Sequence, residues 1–194
     1  MTVSDAQREV RSTYLGGSVG QFVSAAVWVA SCACTTWLGP RLGILVLVFG
    51  GFCIFPLTQG VLLALGRSAS LPKDNPLWEL SIEVAFIVPM LLPLVGAATL
   101  HRGQWFYPAV AMLVGAHYLP FAFLYGMRMF LALAGVMVWT GFAIGYWQPV
   151  DGVVAGWVSA AAMIVFACLG LRRKNQLLRQ SVTAKNSAGQ NAAV

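Results

Sequence analysis

The chain has 194 residues, of which 59% are hydrophobic and 9% charged, with a formal net charge of +6. A soluble domain carries about 25% charged residues, so this composition excludes an ordinary water-soluble globule. The positive charge does not argue for nucleic acid, because cations flanking apolar stretches answer to membrane topology and anionic headgroups.

Residues 1–17 are expected to form a cytoplasmic N-terminal segment, of which the first 15 are polar, with Val3, Ala6, Val10 and Tyr14 at helical spacing. That spacing suits a short interfacial helix, and the position equally suits a frayed terminus. Six apolar stretches then run near residues 18–38, 42–66, 77–99, 105–126, 129–147 and 152–171. A bilayer core needs about 20 apolar residues per helix, and helices or closed barrels alone satisfy every backbone group in lipid. The predicted fold is therefore an all-α, polytopic transmembrane bundle of six spans over residues 18–171. The longest interior loop, Arg67 to Asn75, is too short for a separate soluble domain. Residues 172–194 read as a basic tail, disordered beyond about Gln180, where Asn, Gln, Ser and Ala dominate.

Cations orient the bundle. With the N-terminus inside, the inner segments hold Arg8, Arg11, Arg67, Lys73, Arg128, Arg172, Arg173, Lys174, Arg179 and Lys185, and the outer segments hold only Arg41 and Arg102. The positive-inside rule then predicts cytoplasmic termini. Trp37, Trp105, Tyr107, Tyr146 and Trp147 are expected at outer ends, and Trp78 and Tyr125 at inner ends. Val29-Ala30-Ser31-Cys32 has the form of a lipoprotein cleavage box. Its polar lead is long for a signal peptide and no polar tether follows, so an uncut first span is expected. The four cysteines, Cys32, Cys34, Cys53 and Cys168, lie within spans and read as small buried side chains. No metal-ligand spacing, phosphate loop or nucleophile elbow is present, and no cofactor is implied.

What remains is a polar layer inside the membrane. Asn75 and Pro76 are expected to cap and open the third span. Glu79 then lies near the helix start, where the dipole favours a carboxylate. Glu83 lies about 10 Å in from Pro76 at ~1.5 Å per residue. Gln59, and His117 with its neighbour Tyr118, reach about the same depth from the inner ends of the second and fourth spans. Ionisable groups at such depth face the bundle interior, a partner or a wet cavity. Glu83 and His117 are expected to meet, as a proton- or ligand-responsive site or as a buried interhelical bond. Pro56, Pro89, Pro93 and Pro120 interrupt the same three spans and free backbone carbonyls, as in many transport sites. Gly141/Gly145 and Gly152/Gly156 form two small-residue pairs, expected to pack the fifth span on the sixth. Val46–Ile54 resembles Val136–Ile144, which hints at an inverted three-span repeat.

At Asn75-Pro76-Leu77 and Gly115-Ala116-His117-Tyr118-Leu119-Pro120-Phe121 the chain resembles a family of small bacterial six-span membrane proteins known only as a domain of unknown function. The resemblance implies a multi-pass protein of the bacterial inner membrane and supplies no catalytic residue. The partners expected are the lipid bilayer and, with room for it, a second copy of the chain. The leading function class is a small transporter or channel using the inner polar layer. A structural or accessory membrane protein is the alternative. An intramembrane lipid-acting enzyme, with Glu83 and His117 as base and acid, ranks third.

Overall fold

The computed structural model describes residues 1–67, 70–148 and 150–172. The expected disordered tail lies outside the described residues, apart from Arg172. The described residues are helical and contain no strand. Helix α1, Val3–Thr13, opens the chain. Six segments long and apolar enough to cross a membrane follow. They are α2, Ser18–Leu38; α3, Pro40–Ala64; α4, Trp78–His101; a fourth span split into α5, Phe106–His117, and α6, Leu119–Leu124; α7, Met129–Trp147; and α8, described over Val153–Arg172.

Helix α1 is formed and docked, not frayed. Thr2 and Asp5 build a reciprocal capping box at its start, which satisfies N–H groups the helix cannot bond itself. Ala6 and Val10 are fully buried. The chain then reverses through Leu15, Gly16 and Gly17, all at positive φ. Glycine suits that backbone because it has no Cβ to clash. A Cβ on Gly17 would also meet the Phe130 ring at 3.1 Å.

The core comprises α2, α5, α7 and α8. Helix α2 packs on α3 and α8, while α5 packs on α7, α4 and α8. Only 6% of the α3 window and 11% of the α4 window are buried, against 28% to 44% for the other spans. Helices α3 and α4 are therefore outer helices. In the proposed repeat, α2 and α5 are equivalent, each packing on the second helix of its own half and the third of the other. The equivalence is incomplete, because α7 packs on α8 whereas α3 and α4 leave a groove between them.

The glycine pairs serve a different seam from the expected one. A Cβ on Gly141 would meet the Pro108 carbonyl oxygen at 2.5 Å, and one on Gly145 would meet the Pro108 ring at 3.1 Å. Both positions face α5, not α8. Gly115 on α5 completes that seam, with Met137 Cβ at 3.0 Å. Gly156 faces Cys32 of α2 and Tyr107 of α5, and Gly152 faces the Gln104 carbonyl. The pairs looked mutual because both lie near one turn. Their common partner, α5, comes earlier in the chain.

Two expected belt aromatics also turn inward. Trp37, Tyr146 and Trp147 are exposed as a belt requires, but Tyr107 and Tyr125 are buried. Tyr107 is held by Ser31 Oγ at 2.8 Å and Thr35 Oγ1 at 2.5 Å. Ser31 Oγ donates onward to the Gly43 carbonyl at 2.8 Å. Each hydroxyl has one proton, so the set closes with Thr35 donating to Tyr107 and Tyr107 to Ser31. This satisfied network ties α2, α3 and α5 in the half away from the termini. Of the cysteines, Cys32 is buried as expected, whereas Cys53 and Cys168 are exposed, on faces that meet lipid.

Candidate functional site

The candidate site lies in the half of the bundle nearer α1. Its frame starts with Asn75, which is buried. Helix α4 begins at Trp78 rather than at Pro76. Asn75 initiates it as a turn, its Oδ1 accepting from Leu77 N at 2.8 Å. Its amide nitrogen donates across to Glu9 Oε2 at 2.7 Å and to the Ala6 carbonyl at 3.3 Å. On the other side of α1, Gln7 Nε2 donates to the Phe123 carbonyl at 2.6 Å, and the Arg11 guanidinium donates to the Tyr125 carbonyl at 2.5 Å. Helix ends leave carbonyls without their usual helical partners; α1 supplies a donor to that of Tyr125 and a second donor to that of Phe123, which also accepts from Gly126 N at 3.0 Å. Helix α1 thereby ties the start of the third span to the end of the fourth.

Above it sits a cluster of rings. His117 meets Phe121 at 4.9 Å between centroids, Phe121 meets Tyr125 at 5.6 Å, and Tyr125 meets Phe130 at 5.1 Å. Tyr118 stacks on Phe130 at 6.1 Å, and its hydroxyl meets the Ser24 side chain of α2. Between α5 and α6, just ahead of Pro120, Tyr118 stays in the αR region, and its N–H is shared between the Val114 carbonyl at 3.2 Å and the Gly115 carbonyl at 3.1 Å, so the helix is loosened there without a break. The His117 imidazole reaches the Val84 backbone carbonyl of α4, and its Nδ1 is buried without a hydrogen-bond partner.

The expected Glu83–His117 contact does not form. Among the described residues there is no ion pair between them. Glu83 is exposed, as is Glu79, while Val84 is buried. His117 and Glu83 do lie at one level along the bundle, since His117 reaches the carbonyl of the residue next to Glu83. Successive helical residues differ by about 100° around the axis, from 3.6 residues per turn, so Val84 turns into the bundle while Glu83 faces outward with Phe86, Met90 and Leu94. Gln59 lies at a different level from His117. Its neighbour Thr58 sits opposite Gly20 on α2, whereas Tyr118 sits opposite Ser24, a difference of about 6 Å at ~1.5 Å per residue. Gln59 Oε1 is nevertheless buried and unbonded.

Sequence reading missed Ser18 and Gln21. Both are buried on α2, and none of their side-chain polar atoms has a partner. Their i, i+3 spacing inside an apolar stretch was the available signal. Among the described residues, no three His, Cys, Asp or Glu side chains gather closely enough to hold a metal ion.

The fold and this interior polar layer define a small multi-pass, all-helical membrane protein. The sequence pattern of a family of unknown function, DUF7010, matches residues 3–173, and the chain belongs to that family. No curated protein and no solved structure matches the chain.

Proposed function

We propose that the protein is a small transporter or channel of the bacterial inner membrane, with both termini cytoplasmic and its site in the polar layer around His117. The observation that carries this reading is the buried, unbonded Nδ1 of His117 at the loosened junction of α5 and α6. An unsatisfied polar atom at membrane depth is costly, and an imidazole can take up and release a proton. Tyr118 and Ser24 sit beside it, and Gln59 lies about one turn nearer the cytoplasm. Broken or proline-kinked helices with freed carbonyls line many transport sites. Glu79 and Glu83 belong to the outer face of α4 on this reading, where the slight burial of α3 and α4 leaves room for a second copy.

The test is proton flux into vesicles containing the purified full chain and a pH-sensitive dye, driven by a potassium gradient with valinomycin. Flux above protein-free vesicles is expected, falling at least tenfold in His117→Ala with the fold retained. Flux equal to protein-free vesicles overturns the reading in favour of the accessory one. That second reading draws on the closely packed core and on surface grooves whose lining is almost wholly apolar.

A further inference from the structure

The end of the bundle opposite α1 carries a groove that the polar layer does not use. It lies between α3 and α4, with a volume of about 350 Å³, and is lined by Ile44, Val48, Leu92, Val95, Gly96 and neighbouring residues. Its one hydroxyl, on Thr99, is already bonded to the Val95 carbonyl at 2.7 Å, so the groove offers an incoming molecule an apolar wall.

The rim is different. Arg41 lies three residues before Ile44, and Arg102 lies two residues after Leu100, which also lines the groove. These are the two cations that the positive-inside rule leaves unexplained. Both are exposed, and among the described residues neither forms an ion pair. The acid at this end is Asp151, whose carboxylate accepts from Val153 N at 3.0 Å. Arg102 lies 5.7 Å from the Trp105 ring centroid, and His101 packs on the same ring at 5.6 Å. Trp105 Nε1 is buried and donates to no acceptor. The start of α3, at Pro40, adds backbone N–H groups without helical partners. Donors and positive charge thus gather above an apolar slot that opens sideways into the bilayer.

We infer that this groove binds one anionic glycerophospholipid, with an acyl chain between α3 and α4 and its phosphate at Arg41 and Arg102. Charge complementarity selects the occupant. Arginine matches phosphate oxygens in paired hydrogen bonds, and basic pockets between membrane helices hold anionic headgroups. A zwitterionic lipid would bring the same phosphate together with a choline cation, which sets a third positive charge beside the two arginines and leaves the rim's net charge uncompensated.

Gly96 gives a test that spares the fold. A Cβ there meets nothing within 4 Å, and Gly96 lines the groove, so Gly96→Leu adds bulk to the groove wall without a clash at its Cβ. The experiment follows thermal unfolding of the full chain in detergent, with phosphatidylglycerol or phosphatidylcholine added. Phosphatidylglycerol is expected to raise Tm by about 5–10 °C at a hundredfold excess over Kd, and phosphatidylcholine to do far less. Gly96→Leu and the double variant Arg41→Gln/Arg102→Gln should each abolish the difference. Native mass spectrometry should count one bound phosphatidylglycerol on the unaltered chain and none on either variant. Equal shifts for both lipids, a full shift with inorganic phosphate alone, or a phosphatidylglycerol shift that survives either variant would each overturn the inference.

Discussion

Asn75 shows how much one buried amide can organise. Its oxygen starts α4, and its nitrogen holds Glu9 and the Ala6 carbonyl of α1. Asn75→Ala removes all three bonds and leaves the buried Leu77 N–H without its acceptor, a loss of about 1–3 kcal/mol. Thermal unfolding in detergent should show a Tm drop of several degrees and faster proteolysis within residues 1–17. Asp5 sets a pH limit on the same helix. Hydrogen bonds from Thr2 hold its carboxyl below the ordinary value of 3.8, with a smaller contribution from Arg8. A lowered folded pKa means that its contribution is present above 3.8 and is lost as pH falls through the folded value. Protease sensitivity of α1 should therefore rise in acid below that point. In Asp5→Ala the Asp5-dependent part of that rise should disappear, which a pH series on both proteins would show.

At the scale of elements, small residues decide which helices touch. Gly115, Gly141 and Gly145 let α5 and α7 approach closely, so Gly141→Leu should cost about 1–3 kcal/mol through overpacking. Gly51 on α3 faces open space, so Gly51→Leu should shift Tm by little. Comparing the two variants separates packing from helix propensity. Helix α4 carries a second expectation. Since Glu83 faces outward and His117 contacts Val84, a double-mutant cycle on stability should show no coupling between Glu83→Ala and His117→Ala beyond ~0.5 kcal/mol. Coupling well above that value would mean that the two side chains meet after all. The sequence supplied the depth of both residues by counting from helix ends. It could not supply azimuth, because α4 is apolar almost all round and has no polar face to orient it.

For the whole molecule, the docking of α1 beside the ends of α6 and the contact of Gly170 with Ser18 place the N-terminal segment and the end of the sixth span on one side. Reporter fusions after Lys174 and within residues 101–104 should report opposite compartments, with the former cytoplasmic. An outside location for the former would reverse the proposed orientation and place Arg41 and Arg102 in the inner leaflet. The phospholipid groove would survive that reversal, because it depends on the shared end of α3 and α4 and not on which leaflet meets it.

Six helices able to cross a membrane, and the shared level of Glu83 and His117 along the bundle, followed from the sequence, because they depend on length and hydropathy along one chain. The two motifs that carried the resemblance also lie at junctions, at Asn75 and at the ring cluster from His117 to Phe121. Tertiary structure decided the rest. It made α5 the partner of both glycine pairs, drew Tyr107 and Tyr125 into the interior, turned Glu83 outward and left α3 and α4 apart. The reason is physical. In lipid, hydropathy is nearly equal on every face of a helix, so it fixes where a helix crosses but not which side it shows. That choice falls to close backbone approach at small residues and to the few hydrogen bonds the interior must complete.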